Sequence, residues 1–452
     1  MAGPKTANRM VVGQISTRKT AIVLAMARRL APPRRPVELE FDGDPIAFAL
    51  IAAGKVALGR SPKLHRPHGP YCLRGGGCDG CLVRLNGEPN VMSCMVPCRG
   101  GDRIETQNVL GSRKVDLLEA TDWFFPQGID HHHFLAGVPA ASYVVQKIAR
   151  HVAGLGRLPD EPRPMGKARR EEVDVLIVGA GAAGLTVARR LVAKGLTAPR
   201  AKIVVADDGI VAGGSLLARG IAIPSLSGFT FYDRTTAAGV YEREVLLVRE
   251  DEAVVVRART LVLASGTHDG VVAFPGNDLP GIYSARAAAL LAHRDIAVGE
   301  RVAVLGAGPY VDAFRARTRD KVDVVTIGSG ATIAAEGRGR ITSITVTTDR
   351  RSVRPRASGG QRPRRHQVDA LLVETPGAPS FELAEQGGAS VTFDRARGGY
   401  VPLTDANGRA LPWLWCAGEL AGTGSSALAI ESQALKVADD VAAALESAST
   451  PR

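Results

Sequence analysis

The segment VDVLIVGAGAAGLTVARRLVAKG, from Val173 to Gly195, constrains the fold more than any other stretch of this 452-residue chain. An apolar strand-like run meets a glycine-rich turn, an Ala/Leu/Val-rich run follows at helical spacing, and KIVVADD supplies a second apolar strand. Continuously apolar strands are buried on both faces, so the pattern predicts a βαβ unit of about 35 residues within a parallel sheet. Gly179, Gly181 and Gly184 take the spacing G-x-G-x-x-G at the junction of strand and helix. Such a turn lets the backbone approach a pyrophosphate at the positive end of the helix. Asp208 lies 24 residues beyond Gly184, with Asp207 beside it, at the end of the second strand. A carboxylate there accepts hydrogen bonds from an adenosine ribose and disfavours a 2′-phosphate. A bound dinucleotide is expected.

Five of the six cysteines fall between Cys72 and Cys98, and Cys416 stands apart. Disulfide frameworks spread cysteines to close loops, whereas clustered cysteines in a large chain more often hold metal. Cys72, Cys78, Cys81 and Cys94 are separated by five, two and twelve residues, with Gly75, Gly76, Gly77 and Gly80 between the first three. Three thiolates from a glycine-rich loop and a fourth from beyond a hairpin match a plant-type ferredoxin [2Fe-2S] arrangement, whose first gap is four residues. Zinc bound by four cysteines is the competitor, although only one Cys-x2-Cys pair is present. Thiols without metal are the third reading, and Cys98 reads as a small buried thiol.

Lys and Arg total 57 against 45 Asp and Glu, a net charge of +12 that invites a nucleic-acid reading. The excess is local. Residues 1–37 carry eight basic residues and no acid, and Asp349 to His366 holds seven Arg and one Asp. These stretches contribute +14, so the remainder stands at −2. With aromatics at 5%, the body of the chain is not expected to bind nucleic acid. No run of 18 apolar residues occurs, so no membrane-spanning helix is expected. The missing export signal and the clustered thiols make the cytoplasm the expected location.

Six stretches follow from these patterns. Residues 1–36 read as a basic, mobile arm, and residues 37–110 as a compact [2Fe-2S] domain with strands at VELEF and LVRLNGEPN around a helix at DPIAFALIAAG. Residues 111–170 read as a connector ending in LPDEPRPMGKARR. Residues 171–300 and 377–452 read as the two parts of one dinucleotide domain, and residues 301–376 as a second, reduced one with an Arg-rich loop. Within the first of these, EVLLVRE and EAVVVRA read as two short strands preceding a separate buried strand, TLVLASG. The second glycine turn, Gly306-Ala307-Gly308, has Val311 at the third glycine position, and its following strand VDVVTIG ends without an acid. NAD(P) binding there is doubtful, and a vestigial domain kept for packing is favoured. Three adjacent histidines, His131 to His133, point in different directions in any regular structure and read as surface residues; His268 is as well placed for a loop hydrogen bond as for a cofactor.

Gly213-Gly214 after the acid, Gly266-Thr267 at a strand end, and Cys416-Ala417-Gly418-Glu419 before the last helix form a succession that resembles the two-dinucleotide-binding flavoproteins. The resemblance implies FAD, held by Gly179, Gly181, Gly184, Asp208, Gly213, Gly214, Gly266, Thr267, Gly418 and Glu419, with Glu419 where that family carries Asp. With KLHRPHG, RIETQN, LVLASGTHD and FPGNDLPGI, the region from about residue 37 to 445 resembles the α subunits of heteromeric amine dehydrogenases and oxidases, of sarcosine oxidase, opine dehydrogenase, hydroxyproline dehydrogenase and hydrogen cyanide synthase type. It implies an α/β fold: an N-terminal β-grasp, ferredoxin-like [2Fe-2S] domain fused to a Rossmann-type FAD flavoprotein with a reduced second nucleotide domain. It also implies an oxidoreductase subunit that relays electrons from an FAD-containing β subunit, which oxidises the C–N bond of an amino acid derivative. No residue of this chain is assigned as catalytic. An NADH-dependent reductase serving an oxygenase is the alternative, as is a scaffold whose cofactors are structural.

Overall fold

The computed structural model describes residues 9–12, 37–40, 43–61, 65–74, 78–106, 123, 143–144, 166–249, 252–319, 321–328, 331–348 and 363–447. His131 to His133 and most of the connector lie outside the described residues.

Around the cysteines, the apolar run IAFALIA forms the helix Ile46–Ala52, which buries Ile46, Ala49 and Leu50 with Leu58, Val83 and Ile104. Beside it, Leu82–Leu85 is the central strand of an antiparallel sheet, between Glu88–Met92 and Ile104–Thr106. Asn86 and Gly87 link the first pair with φ of 51° and 88°. Two positive φ values in succession match strand twist in a two-residue hairpin, which is why Asn-Gly is found there. Residues 9–12, inside the stretch read as a mobile arm, form a strand antiparallel to Val37–Glu40. That part of the arm expectation is corrected: the pairing partner lies 25 residues further on, where local composition gives no sign of it.

The first nucleotide unit is a parallel sheet in the order Thr230–Tyr232, Ile203–Ala206, Lys167–Val178, Glu252–Leu263. Leu414–Cys416 pairs in parallel with the end of Glu252–Leu263, whose beginning pairs with the antiparallel strand Glu244–Arg249. One face carries the helices Ala182–Ala193 and Ala427–Ser447, which bury Leu185, Ala188 and Leu191 with Ala434, Val437 and Val441. Each fully buried Leu or Val contributes about 1.5–3 kcal/mol.

Two sequence expectations are corrected here. EAVVVRA and TLVLASG belong to one strand, Glu252–Leu263, because its two halves find different partners along one edge. Residues 167–170, read as the end of a linker, begin the central strand Lys167–Val178. They lack apolar periodicity and are held by the ladder to Glu252–Leu263 and by ion pairs of Arg169 with Glu171 and Glu252 and of Arg170 with Glu244.

The second unit is a four-stranded parallel sheet ordered Ile282–Ser284, Ala370–Glu374, Arg301–Gly306, Asp323–Ile327. It therefore begins before residue 300, where the first unit was expected to end. The strand Ile282–Ser284 and the helix Ala285–His293 join it through a partner strand some ninety residues later. Phe48 and Ile51 of the cysteine domain share a core with Ala288, Leu291 and Phe314 of this unit.

Candidate cofactor-binding site

Four parallel strands end level with one another. Val178 pairs with Ala206 on one side and Leu263 on the other, and Leu263 pairs with Cys416. Just beyond them Gly179 N–H donates to Ala206 O, Ala264 N–H to Val178 O, and Ala417 N–H to Leu263 O, at 2.7–2.8 Å. The residues that follow are thereby set side by side at the carboxyl edge of the sheet, where open parallel sheets bind ligands.

The glycines at this edge are required by close backbone approach. A Cβ on Gly184 would stand 1.8 Å from Gly179 O, and one on Gly179, whose φ is +104°, 2.3 Å from Ala264 O. Gly181 is different: a Cβ there would meet nothing within 4 Å. It precedes the helix Ala182–Ala193, whose N-terminus receives no side-chain cap from Gly181. Asp207 accepts a 2.6 Å hydrogen bond from Ala180 N–H and so ties the turn to the neighbouring strand end. In the sequence Asp207 stands only as the neighbour of Asp208, and its place just after the strand Ile203–Ala206 is the signal available there.

A cleft of about 1400 Å³, counting its open mouth, lies above this edge. Gly179, Gly181, Asp208, Gly214, Gly266 and Glu419 line it. Gly184, Gly213, Thr267 and Gly418 do not line it and act on the backbone instead. Gly213 N–H donates to Ala180 O, Thr267 pairs with Pro379, and Gly418 N–H donates to Gln433 Oε1. His268 contacts Glu382 Oε1 at 3.1 Å, the loop role rather than a cleft role. Burial, with Asp207 alongside, raises the Asp208 carboxyl above its usual range. Burial also raises Glu419, partly offset by Arg219, Arg74 and Arg286.

Nothing in the local sequence marks two of those arginines as site residues. Arg74, from the cysteine loop, donates to Ser265 O and Thr267 O, both at 3.0 Å, and clamps that loop to the strand end of the first unit. Arg286 lines the cleft and makes a two-pronged pair with Asp269 at 2.8 and 2.7 Å. The side chains of this pair are only 10% and 12% exposed. Removing one member of a buried pair leaves an uncompensated charge. Asp269→Ala is expected to lower stability by about 3–5 kcal/mol in a urea melt; a loss below about 1 kcal/mol would mean that the pair is effectively solvated.

The four expected ligand cysteines are brought together as two pairs, Cys72 with Cys78 at 3.3 Å and Cys81 with Cys94 at 3.4 Å between sulfur atoms. Hydrogen bonds from Cys72 and Cys81 pull the Cys78 thiol well below its ordinary range. Among the described residues no group of three or more His, Cys, Asp or Glu is arranged to hold a metal ion. Two pairs of thiolates suit a two-iron cluster, in which each iron takes two. Gly80 allows the loop to close, since a Cβ there would lie 2.0 Å from Gly69 O. Cys98 lies elsewhere, in the core with Ile46 and Leu50, where burial pushes its thiol up to about 12. Cys72 and Cys94 also line the dinucleotide cleft. The glycine cradle, the helix N-terminus and the paired thiols thus fit the two expected groups, FAD and a [2Fe-2S] cluster.

Residues 36–109 match the family described as a 2Fe-2S iron-sulfur cluster binding domain. The chain is 29% identical over 294 residues to sarcosine oxidase subunit alpha of Rhizobium meliloti (strain 1021), covering 56% of this chain and 29% of that one. It is 24% identical over 423 residues to the subunit of the same name from Corynebacterium sp. (strain U-96), covering 80% and 38%. It therefore spans less than two-fifths of the length of these relatives. Among solved structures, L-proline dehydrogenase from P. horikoshii shares the fold with a TM-score of 0.62 at 19% identity, over 92% of this chain and 70% of that one. The chain is similar to sarcosine oxidase α subunits, and it joins a domain that matches the 2Fe-2S cluster binding family to a Rossmann-type fold. No helix among the described residues is long and apolar enough to cross a membrane.

Proposed function

We propose that this chain is the electron-relaying subunit of a heteromeric dehydrogenase or oxidase acting on the C–N bond of an amino acid derivative. A partner β subunit with its own FAD would oxidise the substrate, in the cytoplasm. One observation carries the reading: Cys72 and Cys94 line the same cleft as the glycine turn, Asp208 and Glu419, so cluster ligands and dinucleotide site open onto one space. When bound, FAD supplies an acceptor of electron pairs and the cluster a carrier of single electrons.

The chain's own residues divide the binding work. Gly179 and Gly181 admit a pyrophosphate to the N-terminus of the helix Ala182–Ala193, where the amide groups and helix dipole favour its charge. Asp207 holds the turn in shape through Ala180 N–H, leaving Asp208 to accept from the adenosine ribose. Glu419 meets the ribityl chain. Arg74 places positive charge where the cysteine loop meets this cleft and keeps the loop seated on it, while the charge of Arg286 is compensated there by Asp269. Cys72, Cys78, Cys81 and Cys94 hold the cluster.

An anaerobic titration of the purified chain tests the reading, followed by ultraviolet-visible and electron paramagnetic resonance spectroscopy. Flavin and [2Fe-2S] signals are expected to be reduced by dithionite and left untouched by NADH, and the heat-released cofactor is expected to be FAD. Rapid reduction by NADH would replace the relay with a reductase. Release of a different adenine nucleotide would remove the flavin, and an iron-free folded chain would remove the cluster.

A further inference from the structure

The two units repeat one local geometry at the first glycine of their turns, and the residue set against that glycine differs. In the first, the strand beside the glycine turn ends in Leu263, and the next residue, Ala264, lies against Gly179. In the second, the corresponding strand Ala370–Glu374 runs beside Arg301–Gly306, with Glu374 paired to Gly306. Glu374 thus stands against the first glycine of the second turn: a Cβ on Gly306, whose φ is +95°, would lie 1.9 Å from Glu374 O. One unit has a methyl group next to its turn, and the other a carboxylate.

That carboxylate is turned onto the helix Pro309–Thr318. Glu374 Oε1 accepts from Tyr310 N–H at 3.1 Å and Oε2 from Val311 N–H at 2.7 Å. The remaining first-turn positions offer no alternative, since Pro309 has no N–H and Asp312 N–H donates to Gly308 O. Oε1 also lies 2.3 Å from where a Gly308 Cβ would be, so Gly306 and Gly308 are both required by Glu374 itself. A pyrophosphate would need the same amides and the same open glycine face. It would meet Glu374 there, with Asp312 in the same helical turn.

We infer that Glu374 is an internal anion which fills the phosphate position of the second glycine turn and closes it to NAD(P). The mismatch between this glycine turn and NAD(P) thus has a named cause, and Gly306 and Gly308 make room for a side chain. The inference does not depend on the proposed relay, because it concerns binding to a different unit.

The test uses the holo chain, whose first site is already filled by its own cofactor, with NADH fluorescence and inorganic pyrophosphate as probes. The wild type is expected to bind neither. Glu374→Ala recreates the first unit's Ala264 environment and is expected to tighten NADH binding by about tenfold or more. Wild-type binding of NADH that Glu374→Ala leaves unchanged would overturn the inference. A folded Glu374→Ala chain with no gain for either probe would do the same. Should Glu374→Ala fail to fold, amide hydrogen exchange in the wild type decides: Tyr310 and Val311 are expected to exchange slowly and identically with and without NADH. Fast exchange, or protection that appears only on adding NADH, would sink it. A relay that failed through an iron-free chain or a different released nucleotide would leave these binding results untouched, whereas rapid reduction of the wild type by NADH would count against both.

Discussion

Cys94→Ser is expected to strip the purified chain of its iron and its [2Fe-2S] electron paramagnetic resonance signal while leaving the dinucleotide bound. Cys94 reaches Cys81 from beyond the hairpin and is only 4% exposed, so neither a mobile side chain nor solvent can substitute for it. A serine hydroxyl is a harder donor than a thiolate and is far less readily ionised at neutral pH, whereas cluster iron is held by soft, deprotonated sulfur. Cys98, four residues further on, cannot stand in. It is packed with Ile46, Ala49 and Leu50, and burial holds it in the thiol form at neutral pH. Cys98→Ser is accordingly the matched control and should retain its iron and acid-labile sulfide. Iron and sulfide analysis of the two variants settles the ligand set; a wild-type signal in Cys94→Ser, or its loss in Cys98→Ser, would require a different one.

Gly184→Ala should be the most damaging single methyl group in the dinucleotide site, although Gly184 does not line the cleft. Its Cβ would lie 1.8 Å from Gly179 O, a backbone atom, and Gly179 is itself pinned between the Ala206 and Ala264 strand ends. The helix must therefore move away from the turn. Overpacking of this kind lowers stability by about 1–3 kcal/mol. Separating the helix N-terminus from the glycine turn should weaken dinucleotide binding on the order of 100-fold. Gly181→Ala isolates the other role of the fingerprint. Its φ of −83° suits an alanine and its Cβ would meet open space, so the variant should fold like the parent and lose affinity only because the methyl group enters the cleft. Thermal melts of the cofactor-free chains, alongside cofactor content, separate the two effects. Equal stability of both variants would contradict the packing argument.

The legible parts of this protein were those written in contiguous residues. A strand, a glycine turn and a helix announce themselves within about twenty residues, because apolar periodicity, positive φ and helix propensity are local properties. The Asn86-Gly87 hairpin and the helix Ile46–Ala52 were readable for the same reason. The cysteine spacing is local as well, with Cys72, Cys78 and Cys81 on one glycine-rich loop and Cys94 beyond the next hairpin. The limits of local reading appear in the charged start of Lys167–Val178. Its polar residues resemble a linker until the ladder and the ion pairs to Glu244 and Glu252 are seen.

By itself, then, the sequence determined the βαβ unit, its glycine fingerprint with the following acid, and four cysteines at ferredoxin-like spacing. Tertiary structure alone decided what stands next to them. Arg74 reaches Ser265 and Thr267 across more than 190 residues, Ile282–Ser284 enters the second sheet through a strand ninety residues away, and Glu374 reaches the Pro309 helix from a neighbouring strand end. Arg74 is brought there by a loop docking against a strand end, and the other two share one physical reason. Parallel pairing sets the ends of distant strands at one level, and no local preference of Arg74, Ile282 or Glu374 records which residue the sheet will place beside it.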